Sequence, residues 1–337
     1  MVQVAESEDV TCLPMSQQDE WKDVVPLAQE ETASPVCPIA YAEDYKEMMD
    51  YLRALMAKGE ISQRALKLTS LVIEENPGHY TVWVYRKKLV RELQVNMEDE
   101  LSWVADLSAM QPKNYQLWHH REAVVEMLLD PASIQGMSQD DRVAIPVLRR
   151  ELGFLAESLD EESKNFHAWA YRQWLVRTYG LWDQELAFVA VKIDEDIRNN
   201  SAWNQRYFSL VAGGSSLSAD VVERELAYTL EKIKLAPNNE SPWSFIVGLL
   251  LRHAPEKLYE SLLPQIKALA ADEEYLTAIS GTPFYWATLV DIYEQQVKDV
   301  PEKQKEAIEL ASSACDVLAT ECDLPRQKYW RFRQTQL

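Results

Sequence analysis

Three basic residues stand at one fixed place in a recurring phrase. Lys113, Lys164 and Arg198 each lie five positions before a tryptophan (Trp118, Trp169, Trp203) and directly before an asparagine (Asn114, Asn165, Asn199). An asparagine in that place can cap a helix with its side-chain amide. Each cation would then sit at a helix N-terminus, where free N–H groups and the helix dipole favour negative charge. The chemistry open to such a row is binding of an anion, or stabilisation of negative charge growing on a leaving group. The plain alternative is that each cation pairs with an acid on a neighbouring helix. Residue types alone leave both open.

Other chemistry is scarce. The five histidines are His79, His119, His120, His167 and His253, and none stands at metal-ligand spacing with a Cys, Asp or Glu. His119 and His120 are adjacent, so on a helix they point to different sides. There is no P-loop, dinucleotide glycine fingerprint or nucleophile elbow. Acidic pairs such as Glu161 and Glu162 read as solvated surface in so acidic a chain. On chemistry alone the chain looks incomplete, and no metal site is expected in it.

The elements that carry these residues are easier to read. The tryptophan-centred phrase occurs at Trp83, Trp118, Trp169 and Trp203, and more faintly at Trp243, with steps of 35, 51, 34 and 40 residues. That period signals stacked helical hairpins. Arg86, Arg121, Arg172 and Arg206 follow their tryptophans by three, as Arg333 follows Trp330, so each pair shares one helix face. Pro77, Pro112 and Pro237 lie six before a tryptophan, where they would close the preceding helix. Apolar residues at helical spacing fill the stretches between, as in Met48, Tyr51, Leu52, Leu55 and Met56. The expectation is an all-α superhelix, a crescent of about seven antiparallel helical hairpins. The tryptophans are expected to be structural, and the arginines to satisfy carbonyls or acids of the adjoining repeat.

Residues 1–40 read differently. With Pro14, Pro26, Pro35, Pro38 and little periodicity they suggest a flexible tail, disordered at its start and draped later, before a repeat domain spanning 41–337. Residues 130–141 account for the 51-residue step and read as a loop insertion. The charge, 34 basic against 54 acidic residues for a net −20, argues against nucleic acid or an anionic membrane surface as a partner of the whole chain. Nine glycines in 337 residues argue against a turn-rich β protein. Cys12, Cys37, Cys315 and Cys322 are too dispersed for a disulfide framework. With no leader pattern or bilayer-spanning run, a cytoplasmic protein is expected.

The phrases Lys113-Asn-Tyr-Gln-Leu-Trp-His-His-Arg121, Lys164-Asn-Phe-His-Ala-Trp169 and Asp196-Ile-Arg-Asn-Asn-Ser-Ala-Trp-Asn-Gln-Arg-Tyr-Phe208 closely resemble the repeats of the α subunit shared by protein farnesyltransferase and protein geranylgeranyltransferase type I. The resemblance runs from Trp21-Lys-Asp-Val-Val-Pro26 to Lys328-Tyr-Trp-Arg331. It implies helical hairpins wrapped around an α/α-barrel β subunit, with the active site in a cleft at their interface. There a farnesyl or geranylgeranyl group passes from its diphosphate to a cysteine thiol in a C-terminal CaaX motif, on proteins such as Ras- and Rho-type GTPases. The resemblance further implies zinc held by the β subunit, and magnesium for farnesyl transfer.

Residue by residue, the resemblance puts Lys113 at the diphosphate as the catalytic cation. It puts Tyr115 on the cleft wall, and Gln116 as the amide donating to the peptide's terminal carboxylate. Asn165 and His167 match positions facing the active site, Phe166 stands where the mammalian enzymes have tyrosine, and Tyr80 matches a tyrosine near the peptide end. The 130–141 insertion exceeds the mammalian pattern. Two other readings exist. One is the α subunit of Rab geranylgeranyltransferase, which shares the repeats; the other is a tetratricopeptide-like scaffold without catalysis.

Overall fold

In the computed structural model the described residues are 13–30, 36, 37, 39–212 and 217–337; Cys12, Pro35 and Pro38 lie outside them. Among the described residues every regular element is helical. The helices are α1 (Glu43–Lys58), α2 (Gln63–Glu75), α3 (Tyr80–Glu92), α4 (Met97–Met110), α5 (Tyr115–Leu128), α6 (Gln139–Ala144), α7 (Pro146–Glu161), α8 (Phe166–Tyr179) and α9 (Glu185–Glu195). They continue with α10 (Asn200–Val211), α11 (Ala219–Leu235), α12 (Glu240–His253), α13 (Leu263–Ala271), α14 (Leu276–Ser280), α15 (Pro283–Asp299), α16 (Gln304–Val317) and α17 (Gln327–Gln334). From α2 onward they follow one another as hairpins: α2/α3, α4/α5, α7/α8, α9/α10, α11/α12, α13 with α15, and α16/α17. The all-helical hairpin expectation holds.

Contacts divide the chain into two compact units, residues up to 137 with 143–171, and residues 138–142 with 172–337. In the first unit the second helices of successive hairpins, α3 and α5, touch; in the second, α10 meets α12 and α12 meets α15.

The second helices α5, α8, α10 and α12 start as the asparagines imply. Asn114 Oδ1 accepts from the Leu117 N–H at 3.0 Å, and Asn199 Oδ1 from Ser201 at 3.0 Å, so donors that the helix leaves unpaired find an acceptor. The tryptophans secure the turn before them. Each indole N–H donates to the carbonyl six residues earlier: Trp83 to Pro77 at 2.8 Å, Trp118 to Pro112, Trp169 to Ser163, Trp203 to Ile197 and Trp243 to Pro237, all at 2.9 Å. Trp286 does the same to Ser280 at 2.7 Å, behind a Thr282 cap. This further copy escapes the sequence pattern because Thr282 and Ser280 stand where the Trp243 copy has Asn239 and Pro237, and Leu289, not arginine, follows it by three.

The arginines do reach the adjoining repeat. Arg86, Arg121, Arg172 and Arg206 each fork onto a glutamate of the next first helix, Glu100, Glu151, Glu185 and Glu225, at 2.6 to 3.0 Å. Each guanidinium also lies over the aromatic ring three residues after its glutamate, 3.4 to 3.8 Å from the centroid: Trp103, Phe154, Phe188 and Tyr228. The planar fork suits both contacts at once. Arg333, on the last helix, reaches back to Asp291 and Glu294.

Residues 13–30 are held against the start of the array. Trp21 is buried and meets the Tyr51 ring edge-on at 5.5 Å. Glu47 accepts the Met15 and Ser16 N–H groups at 2.9 and 3.0 Å, and Arg64 bridges Asp23. The 130–141 segment is more than a plain loop. Asp130 caps a 3-10 turn, Pro131–Ile134, and α6 follows. In the second unit Arg142 then donates to the Tyr179 carbonyl at 3.1 Å, beside Gly180 in the left-handed region at φ 66°. A β-carbon at Gly180 would stand 2.2 Å from the Arg142 guanidinium, so glycine serves both the turn and the close approach.

Candidate functional site

The caps and indole bonds fix where α5 and α8 begin, and a cleft of about 440 Å³ opens along these two helices, within the first unit. Trp118 and Tyr171 lie at its base, with ring centroids 5.6 Å apart and both rings buried. Tyr115, Gln116, His119 and Glu122 line it from α5, and Phe166, His167 and Ala170 from α8. Residues four and seven after Tyr115 share its face of the helix, as does the residue four after Phe166. That periodicity was the signal for His119, Glu122 and Ala170, which the sequence reading did not single out. Ala170 is small, and the space it leaves belongs to the cleft.

Tyr115 and His167 hold the wall together, edge to face at 4.3 Å, a favourable aromatic geometry. Phe166 stands beside His167 at 5.5 Å with about two thirds of its surface exposed. Burial lowers the His167 pKa, with Glu162 pulling it up and Lys113 pushing it down. Burial raises the Glu122 carboxyl above its ordinary range, opposed by His119 at 3.4 Å and helped by Glu126.

Lys113 springs from the turn before α5, and its ammonium lies 3.0 Å from Glu162 at the end of α7. One basic residue of the row thus does pair with an acid across the repeat. Asn165 does not point into the cleft. It is buried; its Oδ1 caps His167 and Ala168, and its Nδ2 donates to the Pro112 carbonyl at 3.2 Å and to Glu162 at 3.1 Å. Tyr80 is exposed at the start of α3 and does not line this cleft. Of the seven residues singled out, the structure brings Tyr115, Gln116, Phe166 and His167 to one wall; Lys113, two residues before Tyr115, is not among the lining residues and is exposed beside Glu162. Asn165 lies behind that wall and Tyr80 lies apart.

Among the described residues no three His, Cys, Asp or Glu side chains converge as a metal site, and no helix is long and apolar enough to cross a membrane. The cleft offers an aromatic wall and an amide, and the exposed Lys113 ammonium stands on the turn that leads into α5. The site can bind and orient an anionic or peptide ligand, but it presents no nucleophile paired with a base.

Comparison with known proteins identifies the repeats that carry these helices. A model described as protein prenyltransferase alpha subunit repeat matches residues 62–93, 97–128, 148–179, 182–212 and 222–253, so the second and third matches carry α5 and α8. The protein farnesyltransferase/geranylgeranyltransferase type-1 subunit alpha of Dictyostelium discoideum is 34% identical over 97% of this chain and 95% of its own length. The human geranylgeranyl transferase type-2 subunit alpha is more distant, 26% identical over 72% of this chain and 42% of its own length. Among solved structures, a chain of Candida albicans protein geranylgeranyltransferase-I complexed with GGPP superposes with a TM-score of 0.77 at 29% identity, covering 95% of this chain and 99% of that one. Matched in sequence and in fold along nearly its whole length, the chain belongs to the family of protein farnesyltransferase/geranylgeranyltransferase type-1 α subunits.

Proposed function

We propose that this chain acts as one half of a cytoplasmic αβ protein prenyltransferase, moving a farnesyl or geranylgeranyl group from its diphosphate to the cysteine of a C-terminal CaaX motif. The cysteine gives up its thiol proton to solvent, the sulfur forms a bond to C1 of the isoprenoid, the C1–O bond breaks, and the diphosphate leaves with the electron pair. Lys113 stabilises the charge that grows on that diphosphate, which an ammonium does without giving up its proton. Gln116 donates to the peptide's terminal carboxylate; a neutral amide recognises the terminus without a second strong ion pair. Tyr115, Phe166 and His167 wall the cleft, and Asn165 keeps α8 in place behind it.

The observation that carries this reading is the convergence of Tyr115, Gln116, Phe166 and His167 on one cleft, with the exposed Lys113 on the turn two residues before Tyr115. By family resemblance zinc belongs to the β subunit, where it would activate the cysteine sulfur, and magnesium would assist the diphosphate in farnesyl transfer. The type-2 subunit reading is set aside by that relative's lower identity and coverage. The scaffold reading predicts a chain that ignores prenyltransferase β subunits.

Co-expression with candidate β subunits is the test, assayed for zinc and for transfer of a labelled isoprenoid to a CaaX peptide. A one-to-one zinc-containing complex, active where the isolated chain is not, is the expected result. A stable chain that associates with none of them overturns the proposal.

A further inference from the structure

We infer that Glu162 is the positioning residue of Lys113, a carboxylate fixed at the α7–α8 turn that sets where the ammonium points beside the start of α5. The inference rests on the reading of Lys113 as a diphosphate contact.

The pair alone would be unremarked. Its side chains are 72% and 40% exposed, and ion pairs so open to water contribute little to stability. What sets it apart is the anchoring of its acidic end. While Oε1 of Glu162 faces the ammonium, Oε2 accepts from Asn165 Nδ2. Asn165 is only 4% exposed, and its Oδ1 holds the first N–H groups of α8. The same Nδ2 donates to the carbonyl of Pro112, the residue directly before Lys113. One buried amide therefore fixes both the backbone from which the lysine springs and the carboxylate that receives it. Only the four-carbon stem between them is free to move.

The direction follows from the same contacts. Lys113 and Glu162 both act on the His167 ring, and His167 lines the cleft against Tyr115. The ammonium thus lies within electrostatic reach of that wall, while its side chain stays largely open to water, where an anionic ligand can meet it. Glu162 engages one of its three N–H donors and leaves two for another acceptor. The hydrogen bond from Lys113 holds the Glu162 carboxyl below its ordinary range, so it is charged throughout neutral pH.

A fixed negative charge beside a diphosphate site opposes ground-state binding of that anion. Glu162 therefore cannot serve affinity, and its contribution is orientation, felt where charge grows on the leaving group. The two effects have opposite signs, which a general loss of structure would not produce.

The experiment uses the αβ complex with Glu162→Gln, which keeps an oxygen for Asn165 and removes the charge. The single-turnover rate with farnesyl or geranylgeranyl diphosphate is expected to fall about tenfold, with diphosphate affinity equal or tighter and peptide affinity unchanged. In a Lys113→Ala background the same change should have no further effect, since the group it acts through is gone. If Lys113→Ala slows transfer and Glu162→Gln does not, the inference is overturned and the reading of Lys113 stands. Equal losses in both backgrounds, or weakened diphosphate binding, also overturn it. If Lys113→Ala leaves the rate unchanged, the reading of Lys113 fails and takes the inference with it.

Discussion

Arg121 on α5 and Glu151 on α7 are joined by two parallel hydrogen bonds of 2.6 and 2.7 Å, with both side chains out of water. The guanidinium also donates to the Leu101 carbonyl and lies 3.6 Å from the centre of the Phe154 ring, while the Tyr171 hydroxyl donates to Glu151 at 2.7 Å. One carboxylate therefore ties the end of one repeat to both helices of the next. Every repeat from Arg86 to Arg206 uses the same fork.

Breaking that pair leaves a buried charge with no counter-charge. Glu151→Ala is expected to destabilise the chain by about 3 to 5 kcal/mol, read as a shift in the denaturation midpoint. Replacing Arg121 and Glu151 together with apolar residues of similar volume should cost far less. Equal losses for the single and double changes would show that the pair does not act as a unit.

Trp169→Ala removes a buried ring and its bond to the Ser163 carbonyl. A loss of about 3 to 5 kcal/mol is expected, with weaker β-subunit association before any change in a rate constant. A heterodimer of normal stability that has lost the chemical step would contradict a structural role.

His120 makes stability depend on pH. A carboxylate only accepts, so the Nε2 proton is donated to Glu100 at 2.7 Å, and Nδ1 is buried without a partner among the described residues. Burial lowers the His120 pKa below its ordinary 6.5, with Glu100 opposing and Arg86 and Lys87 adding to the shift. A depressed folded-state pKa gives stability that is complete above the unfolded value and is lost as pH falls through the folded one. Melting temperature should therefore begin to fall below about pH 6.5. His120→Gln, which keeps a donor and does not titrate, should flatten that part of the profile while leaving the later carboxylate losses.

Trp21 anchors residues 13–30, so Trp21→Ala should release the strap before it unfolds the array, because stability is local where few contacts hold a segment. Hydrogen exchange at Met15, Ser16 and Val24 is expected to rise while exchange in α4 and α5 is unchanged. Exchange rising equally in all of them would mean that the strap supports the whole unit.

Lys113→Ala in the heterodimer should lower the single-turnover rate with little change in diphosphate affinity, the mark of a charge acting mainly in the transition state. An equal loss of affinity would make it a uniform binding residue. Gln116→Ala should weaken the peptide alone, and unchanged peptide affinity would remove Gln116 from the site.

The sequence by itself determined what acts within a few residues of backbone. Asn114, Asn165 and Asn199 cap their own helices, and each indole reaches a carbonyl six positions back. Such contacts are fixed by local geometry, so a repeating phrase reveals them and the hairpins they start. Tertiary structure decided which distant residues meet. Glu162 receives Lys113 from 49 positions away, across an insertion that no period describes. The cleft exists because α5 and α8 present Tyr115 and Phe166 along one line with a small Ala170 beside them. It also turned Asn165 inward, since an amide that caps a helix and reaches Pro112 and Glu162 has no atom left to offer a substrate. Pairings of this kind depend on the rotation and spacing of helices from different hairpins, which sequence spacing along one helix does not encode.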